Sequence, residues 1–190
     1  MKILLIDNST ELLQQISDGL KGHDVEIVHY RPGVKLSTRG KDLVILSGGG
    51  GAGRELYDLH HTGDLWYKDE IDFILDCDKP ILGICMGFEI IAHAYGSKLQ
   101  KLPKKIAGLK RIQTGPAVYI KQYKEHQWCI PTVSEEHFEI LATSKTGVEM
   151  VRHKTKPILA TQFHPEVAGG ELNLEHLIKK LESFSMARSA

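Results

Sequence analysis

Short runs of consecutive apolar residues, each of strand length, constrain the fold of this chain more than any other feature. They occupy residues 2–6, 25–29, 42–46, 80–84 and 158–163. Apolar residues that follow one another with little polar alternation are typical of strands covered on both faces. Because segments with helical apolar spacing lie between these runs, the sequence predicts an α/β fold. We expect a doubly wound, mostly parallel sheet of the flavodoxin-like type, with helices on both faces.

The helices are predicted near residues 12–20, 64–76, 87–96 and 172–184. Between residues 98 and 154 the pattern changes to short apolar runs, such as 117–120, 138–143 and 148–152, separated by Gly, Pro and Ser. These runs predict β-hairpins that add an antiparallel or mixed elaboration to the sheet. No linker or low-complexity segment interrupts the chain, so we expect one domain over residues 1–190, with a frayed tail at 185–190.

The composition limits which binding partners and which cellular compartment we expect for this protein. The 24 basic and 24 acidic side chains balance, so charge gives no reason to expect nucleic acid or an anionic membrane as a partner. The three cysteines show no CxxC spacing, which argues against a disulfide framework and a cysteine-rich zinc site. The N-terminal apolar run is shorter than the core of a signal peptide, and no run has the length of a membrane span. A cytoplasmic protein is therefore predicted.

The segment from Gly83 to Gly87 predicts a reactive cysteine at a sharp turn. Cys85 lies between the two glycines, where the apolar run 80–84 ends and helical spacing begins. This pattern matches a nucleophile elbow with cysteine in place of serine. The unpaired amides at the start of the helix are expected to favour the thiolate form of Cys85. A buried structural cysteine is the alternative interpretation.

A glycine-rich segment, residues 47–53, follows the apolar run 42–46. It therefore leaves the carboxyl end of a predicted strand, where open α/β sheets place their ligand sites. The segment lacks the Gly-Lys-Ser/Thr ending of a phosphate-binding loop. We interpret it as a source of backbone N–H groups for an oxyanion, with a flexible glycine turn as the alternative.

The last apolar run continues into His164, Pro165 and Glu166. Residues two apart in an extended chain point to the same side, so the histidine and the glutamate can act together. Pro165 restricts the backbone on both sides of itself and stiffens this arrangement. The Glu166 carboxylate can accept a hydrogen bond from one ring nitrogen of His164 and leave the other for a nucleophile, as in a catalytic triad. A surface histidine without a catalytic role is the alternative.

Together these motifs resemble the class I, or triad, glutamine amidotransferases. That family has an elbow of the form Gly-x-Cys-x-Gly-x-Gln and a final motif Gln-Phe-His-Pro-Glu, which residues 83–89 and 162–166 match in order and spacing, except at Glu89. The resemblance assigns roles to residues of these motifs and of the glycine-rich segment: the nucleophile Cys85, the general base and acid His164, the orienter Glu166, and the oxyanion-hole N–H donors Gly49 and Met86.

The resemblance implies a glutaminase that hydrolyses the side-chain amide of glutamine through a thioester and needs no metal or organic cofactor. The ammonia would pass to a separate synthase, either ATP-dependent or chorismate-using. Within the family the chain looks most like the glutaminase subunit of GMP synthase, with the subunits of anthranilate and aminodeoxychorismate synthases as alternatives. A γ-glutamyl hydrolase and a non-catalytic regulatory protein are further alternatives.

Three residues are expected to bind substrate by the same resemblance: Gly51, Glu89 and His126. His126 lies in residues 125–128, at the place of a Ser-His-x-Asp type loop in related chains. Glu89 stands where the family usually has a neutral glutamine, about one helical turn beyond Cys85. If ionised, Glu89 would repel the thiolate and raise its pKa. Glu89 could instead bind the substrate's ammonium group, or stay protonated and mimic the amide.

Overall fold

The computed structural model describes residues 1–49 and 65–189. The strands in these residues are β1 (Lys2–Asn8), β2 (Asp24–His29), β3 (Leu43–Gly49), β4 (Ile81–Ile84), β5 (Gln100–Gly115), β6 (Val118–Cys129), β7 (Phe138–Ser144), β8 (Gly147–His153) and β9 (Ile158–Thr161). They form one nine-stranded sheet in the order β2-β1-β3-β4-β9-β8-β7-β5-β6. The first five strands in that order are parallel, and the others pair antiparallel. The predicted fold class is confirmed.

Helices cover both faces of the parallel half. They are α1 (Leu13–Gly19), α2 (Lys68–Asp76), α3 (Met86–Ala94) and α4 (Leu174–Ser189). On β1, Ile3 and Leu5 belong to the apolar core that includes α1 and α4, whereas Leu4 and Ile6 belong to the core that includes α2 and α3. Alternate side chains of a strand point to opposite faces, so a strand between two helical layers must be apolar at consecutive positions.

The antiparallel half is longer than its sequence pattern indicates. Around this hairpin, the sequence pattern predicted a strand run only at residues 117–120. In the structure, β5 and β6 together extend from Gln100 to Cys129. Nine of the 16 residues of β5 are exposed and five are Lys or Arg, so the strand has neither the alternation nor the apolar content of a typical strand. Its structure comes from cross-strand pairing with β6, which local sequence patterns do not reveal.

The helix boundaries differ modestly from those predicted. Helix α2 begins at Lys68, and position 64 of the predicted helix lies outside the described residues. Helix α4 continues to Ser189, past the predicted end at residue 184. Within the described residues, the longest apolar helical stretch falls short of what a membrane span requires.

Candidate active site

Cys85 lies between β4 and α3, at the carboxyl edge of the parallel strands. Its φ is +50°, a value uncommon for residues other than glycine. The Cys85 N–H donates to the Thr161 carbonyl of β9 over 2.7 Å, and the Glu89 N–H donates to the Cys85 carbonyl over 3.0 Å. The first bond ties the turn to the neighbouring strand, and the second starts the helix. Backbone strain of this kind costs on the order of 1–3 kcal/mol and persists where the surrounding structure fixes it.

The two elbow glycines are required by close packing. A Cβ on Gly87 would lie 2.7 Å from the Cβ of Leu46 on β3, and a Cβ on Gly83 would lie 3.0 Å from the carbonyl carbon of Gly87. Larger residues would therefore push α3 away from the sheet. The glycines on either side of Cys85 therefore lie where the packing leaves no room for a side chain.

His164 and Glu166 follow β9, the strand next to β4. The His164 Nδ1–H donates to Glu166 Oε1 over 2.8 Å, and both side chains are buried. The His164 backbone N–H donates to the Tyr123 carbonyl of β6 over 2.8 Å. The backbone anchor and the carboxylate together fix the imidazole with its Nε2 atom available, so the arrangement predicted from the sequence is present.

The Glu125 carbonyl brings the thiol and the imidazole together. Cys85 Sγ lies 3.8 Å from this oxygen, and His164 Nε2 lies 3.4 Å from it. A carbonyl oxygen only accepts hydrogen bonds, so it can accept from the S–H group when the imidazole is neutral and from the Nε2–H group once the imidazole holds the proton. The Cys85 thiol and the His164 imidazole therefore converge on one backbone atom of β6.

The protonation of Cys85 and His164 is coupled. Burial raises the pKa of the thiol, while the charge and hydrogen bond of His164 act in the opposite direction. Burial disfavours the imidazolium, yet the sulfur and the Glu166 carboxylate outweigh it and raise the pKa of His164. A proton that leaves the thiol is therefore retained by the imidazole. The thiolate preference expected from the helix start is opposed by desolvation of the sulfur, which is the largest influence on the pKa of the thiol.

The end of β3 lies beside the elbow. A Cβ on Gly48 would lie 3.6 Å from the Cβ of Cys85, and a Cβ on Gly49 would lie 2.7 Å from Cε of Met86. A Cβ on Gly49 would also lie 2.9 Å from the Asn8 carbonyl oxygen, so a side chain at this position would force its neighbours to shift. Gly51, also predicted to bind substrate, lies outside the described residues.

A pocket of about 300 Å³ opens over the sulfur. It is lined by Thr10, Glu11, Leu12, Gly49, Cys85, Met86, Glu89, Lys105, Glu125, His126, Gln127, Trp128 and His164. Every predicted site residue in the described part of the chain lines this pocket, apart from Glu166, which lies behind the histidine. No group of three or more His, Cys, Asp or Glu residues within that part is arranged to hold a metal ion.

Glu89 enters the pocket as a buried, largely neutral carboxyl group. It is 3% exposed, and its Oε1 accepts a hydrogen bond from Gln162 Nε2 over 2.7 Å. Burial raises the pKa of Glu89 to about 8, against the opposing effects of Gln162 and His164. At neutral pH the protonated form therefore predominates. The same Gln162 Nε2 lies 4.0 Å from the Cys85 sulfur.

His126 presents a neutral ring to the pocket. Its Nδ1 lies 2.6 Å from the Trp128 carbonyl, which can only accept, so the proton is on Nδ1. Burial and the nearby Lys124 ammonium lower the pKa of His126 to about 4. Its Nε2 is buried and has no hydrogen-bond partner among the described residues. The pocket therefore contains a histidine acceptor in addition to the carboxyl group of Glu89.

Several pocket residues were missed by sequence reasoning. Thr10, Glu11 and Leu12 follow β1, whose carboxyl end lies beside that of β3. The polar turn after the first predicted strand was a usable signal, because carboxyl ends of adjacent parallel strands share one edge. Lys105 offered no comparable signal, since it lies on the exposed strand β5.

Comparison with known proteins decides the family. The model of the family described as Glutamine amidotransferase class-I matches residues 4–183. The chain belongs to the class I glutamine amidotransferases. Among the relatives of this amidotransferase is the glutamine-hydrolyzing GMP synthase subunit of Methanocaldococcus jannaschii, 32% identical over 92% of this chain and 93% of the relative. Anthranilate synthase component II of Haloarcula marismortui is 28% identical over 87% of this chain and 84% of the relative.

A solved structure supports the same family. A protein of Thermoplasma acidophilum, assigned to the same GMP synthase component, superimposes on this amidotransferase with a TM-score of 0.78. The two chains are 26% identical, and the match covers 100% of this chain and 98% of the other. The two proteins thus share one fold.

Proposed function

We propose that this amidotransferase hydrolyses the side-chain amide of glutamine, with Cys85 as nucleophile, His164 as general base and acid, and Glu166 as orienter. The observation that carries the proposal is the convergence of the Cys85 sulfur and His164 Nε2 on the Glu125 carbonyl, at the floor of the pocket. Glu166 hydrogen-bonds the opposite ring nitrogen, as a nucleophile-activating base requires.

In the proposed reaction, His164 Nε2 takes the thiol proton and the sulfur attacks the amide carbon of glutamine. Backbone N–H groups of Gly49 and Met86 stabilise the oxyanion of the tetrahedral intermediate. His164 then gives its proton to the leaving nitrogen, ammonia departs, and a glutamyl thioester remains on Cys85. Water, deprotonated by the same imidazole, attacks the thioester, releases glutamate and restores the thiol.

Glu89 and His126 are proposed to hold the amino-acid end of the substrate. A protonated Glu89 offers a hydroxyl donor, and the unpartnered His126 Nε2 is an acceptor. One donor and one acceptor are complementary to the carboxylate and the ammonium group of an amino acid. Of the alternatives left open for Glu89, this proposal selects the protonated form. Gly51 is retained as a proposed substrate-binding residue on the family resemblance alone.

The ammonia is proposed to serve a separate synthase, with the amidating component of a GMP synthase as the first candidate. The relatives from Methanocaldococcus jannaschii and Haloarcula marismortui are each named as one component of a synthase. The match to the glutamine-hydrolyzing GMP synthase component covers nearly the full length of both chains. Anthranilate synthase is the alternative partner system, at lower identity.

Covalent labelling tests the proposed function. We expect diazo-oxo-norleucine, a glutamine analogue, to form one adduct on the native protein, detected by intact mass spectrometry. Cys85→Ala should abolish the adduct, whereas Cys77→Ala, at another buried free cysteine, should leave it in place. Absence of an adduct on the native chain, with and without the candidate synthase, would contradict the glutaminase proposal. Turnover of γ-glutamyl amides without synthase would favour the γ-glutamyl hydrolase instead.

A further inference from the structure

A second carboxyl group is buried behind the end of β3, where the proposed chemistry makes no use of it. Glu70 lies in the first turn of α2, and Asn8 is the last residue of β1. Both side chains are 0% exposed. Asn8 Nδ2 donates to Glu70 Oε1 over 3.0 Å. Full burial of a carboxyl group is costly, so a carboxyl group as buried as that of Glu70 calls for a specific role.

Asn8 is attached directly to the backbone that carries the proposed oxyanion donor. It pairs with Gly49 across β1 and β3, after an irregularity in the register beyond Ile6. The Asn8 N–H also donates to Ser47 Oγ over 2.8 Å, and that hydroxyl donates to the Gly48 carbonyl over 2.7 Å. A displacement of Asn8 would therefore displace Gly48 and Gly49.

Each of the two side chains also has a buried oxygen atom that requires a hydrogen-bond partner. Asn8 Oδ1 and Glu70 Oε2 are both buried, and neither has a hydrogen-bond partner in residues 1–49 or 65–189. An ionised carboxylate would leave two acceptors unmatched, whereas a carboxylic acid has one donor to offer. A protonated Glu70 thus suits a neighbour that both donates and accepts, as the Asn8 carboxamide does.

We propose that Glu70 is a positioning residue for the oxyanion hole: it fixes the Asn8 side chain, and Asn8 in turn fixes the backbone N–H of Gly49. This inference rests on the proposed glutaminase function. Burial raises the pKa of Glu70 to about 7, with the Asn8 hydrogen bond opposing that shift. Near the pair, Asp7 Oδ1 lies 3.4 Å from the Ser47 hydroxyl, and Asp7 Oδ2 accepts from His29 Nδ1 over 2.8 Å.

Kinetics of glutamine hydrolysis by the full chain test the proposal. Loss of one oxyanion donor lowers kcat by about 10²- to 10³-fold in other enzymes, and a displaced donor should cost less. We therefore expect Glu70→Leu to lower kcat about tenfold and to change KM less than about twofold. Glu70→Gln, which retains an acceptor for Asn8 Nδ2, should restore most of the rate. Asp72→Ala removes an exposed carboxylate from the same helix and is the matched control.

A double-mutant cycle separates positioning from general destabilisation. Asn8→Ala should lower kcat to the same extent as Glu70→Leu, and the combined variant should be no slower than either, because both remove one interaction. Alkylation of Cys85 by iodoacetamide, which needs no oxyanion hole, should proceed at the native rate in all variants.

Two results would overturn the inference: a native kcat in Asn8→Ala or in a folded Glu70→Leu, or additive losses in the combined variant. If Glu70→Leu does not fold, Asn8→Ala alone decides the matter. A native protein that neither hydrolyses glutamine nor forms the adduct contradicts the proposed function instead. If the native protein reacts and the variants react equally well, only the positioning role of Glu70 is contradicted.

Discussion

Two buried carboxyl–carboxamide pairs flank Cys85, and they differ in what surrounds them. In the pair of Asn8 and Glu70, both side chains are enclosed between β1 and α2, away from the pocket. In the pair of Gln162 and Glu89, the carboxyl group lines the pocket wall. The bonding is alike, since each carboxamide donates to one carboxyl oxygen. We infer that such a pair contacts the substrate where it lines the pocket, and positions the neighbouring backbone where it is enclosed.

The largest expected difference between the pairs concerns substrate binding. Glu89→Leu removes a proposed substrate donor and leaves the Gln162 amide without its acceptor. A buried polar group left unpaired costs about 1–3 kcal/mol, which corresponds to about 5- to 150-fold. We expect kcat/KM for glutamine to fall by about 100-fold, mainly through KM, as measured by steady-state glutamate release. A fall confined to kcat would place Glu89 with Glu70 as a positioning residue.

A smaller effect is expected in the pH dependence. Above a pKa of about 8 the wild-type Glu89 ionises, and its charge disfavours the Cys85 thiolate. Glu89→Gln removes that ionisation, so the ratio of variant to wild-type kcat/KM should rise with pH, reaching about tenfold at pH 9 relative to pH 7. Rate profiles from pH 6 to pH 9 measure this ratio. A constant ratio would show that the protonation of Glu89 has no bearing on catalysis.

The smallest effect is expected in stability, from the enclosed pair. The pKa of Glu70 is raised from 4.5 to about 7 in the folded protein, so the folded state binds more protons than the unfolded state between these values. Its stabilising contribution is fully present below pH 4.5 and is lost as pH rises through about 7. A shift of this size corresponds to about 3 kcal/mol. Thermal unfolding from pH 5 to pH 8 should show a steeper loss of Tm in wild type than in Glu70→Gln, and parallel curves would contradict this expectation.

The sequence predicted those parts of the molecule whose structure depends on residues close together in the chain. Consecutive apolar residues indicate a doubly covered strand, and the glycines around Cys85 indicate a tight turn. Glu70 could not be found in this way, because it lies among acidic residues of an amphipathic helix and resembles a solvated position. Its burial depends on where α2 packs against β1. Strand β5 was missed for a related reason, since β6 rather than its own pattern defines it.

The position of β9 determines when the proposed enzyme can begin to work. A ribosome makes β9 after every other described strand, yet the strand lies inside the sheet, between β4 and β8. The Cys85 amide is bonded to the last residue of β9, Thr161, and His164 follows directly. A nascent chain therefore carries the proposed nucleophile without the proposed base while residues 86–163 are made. If the proposed roles hold, a chain that ends before His164 releases no ammonia from glutamine.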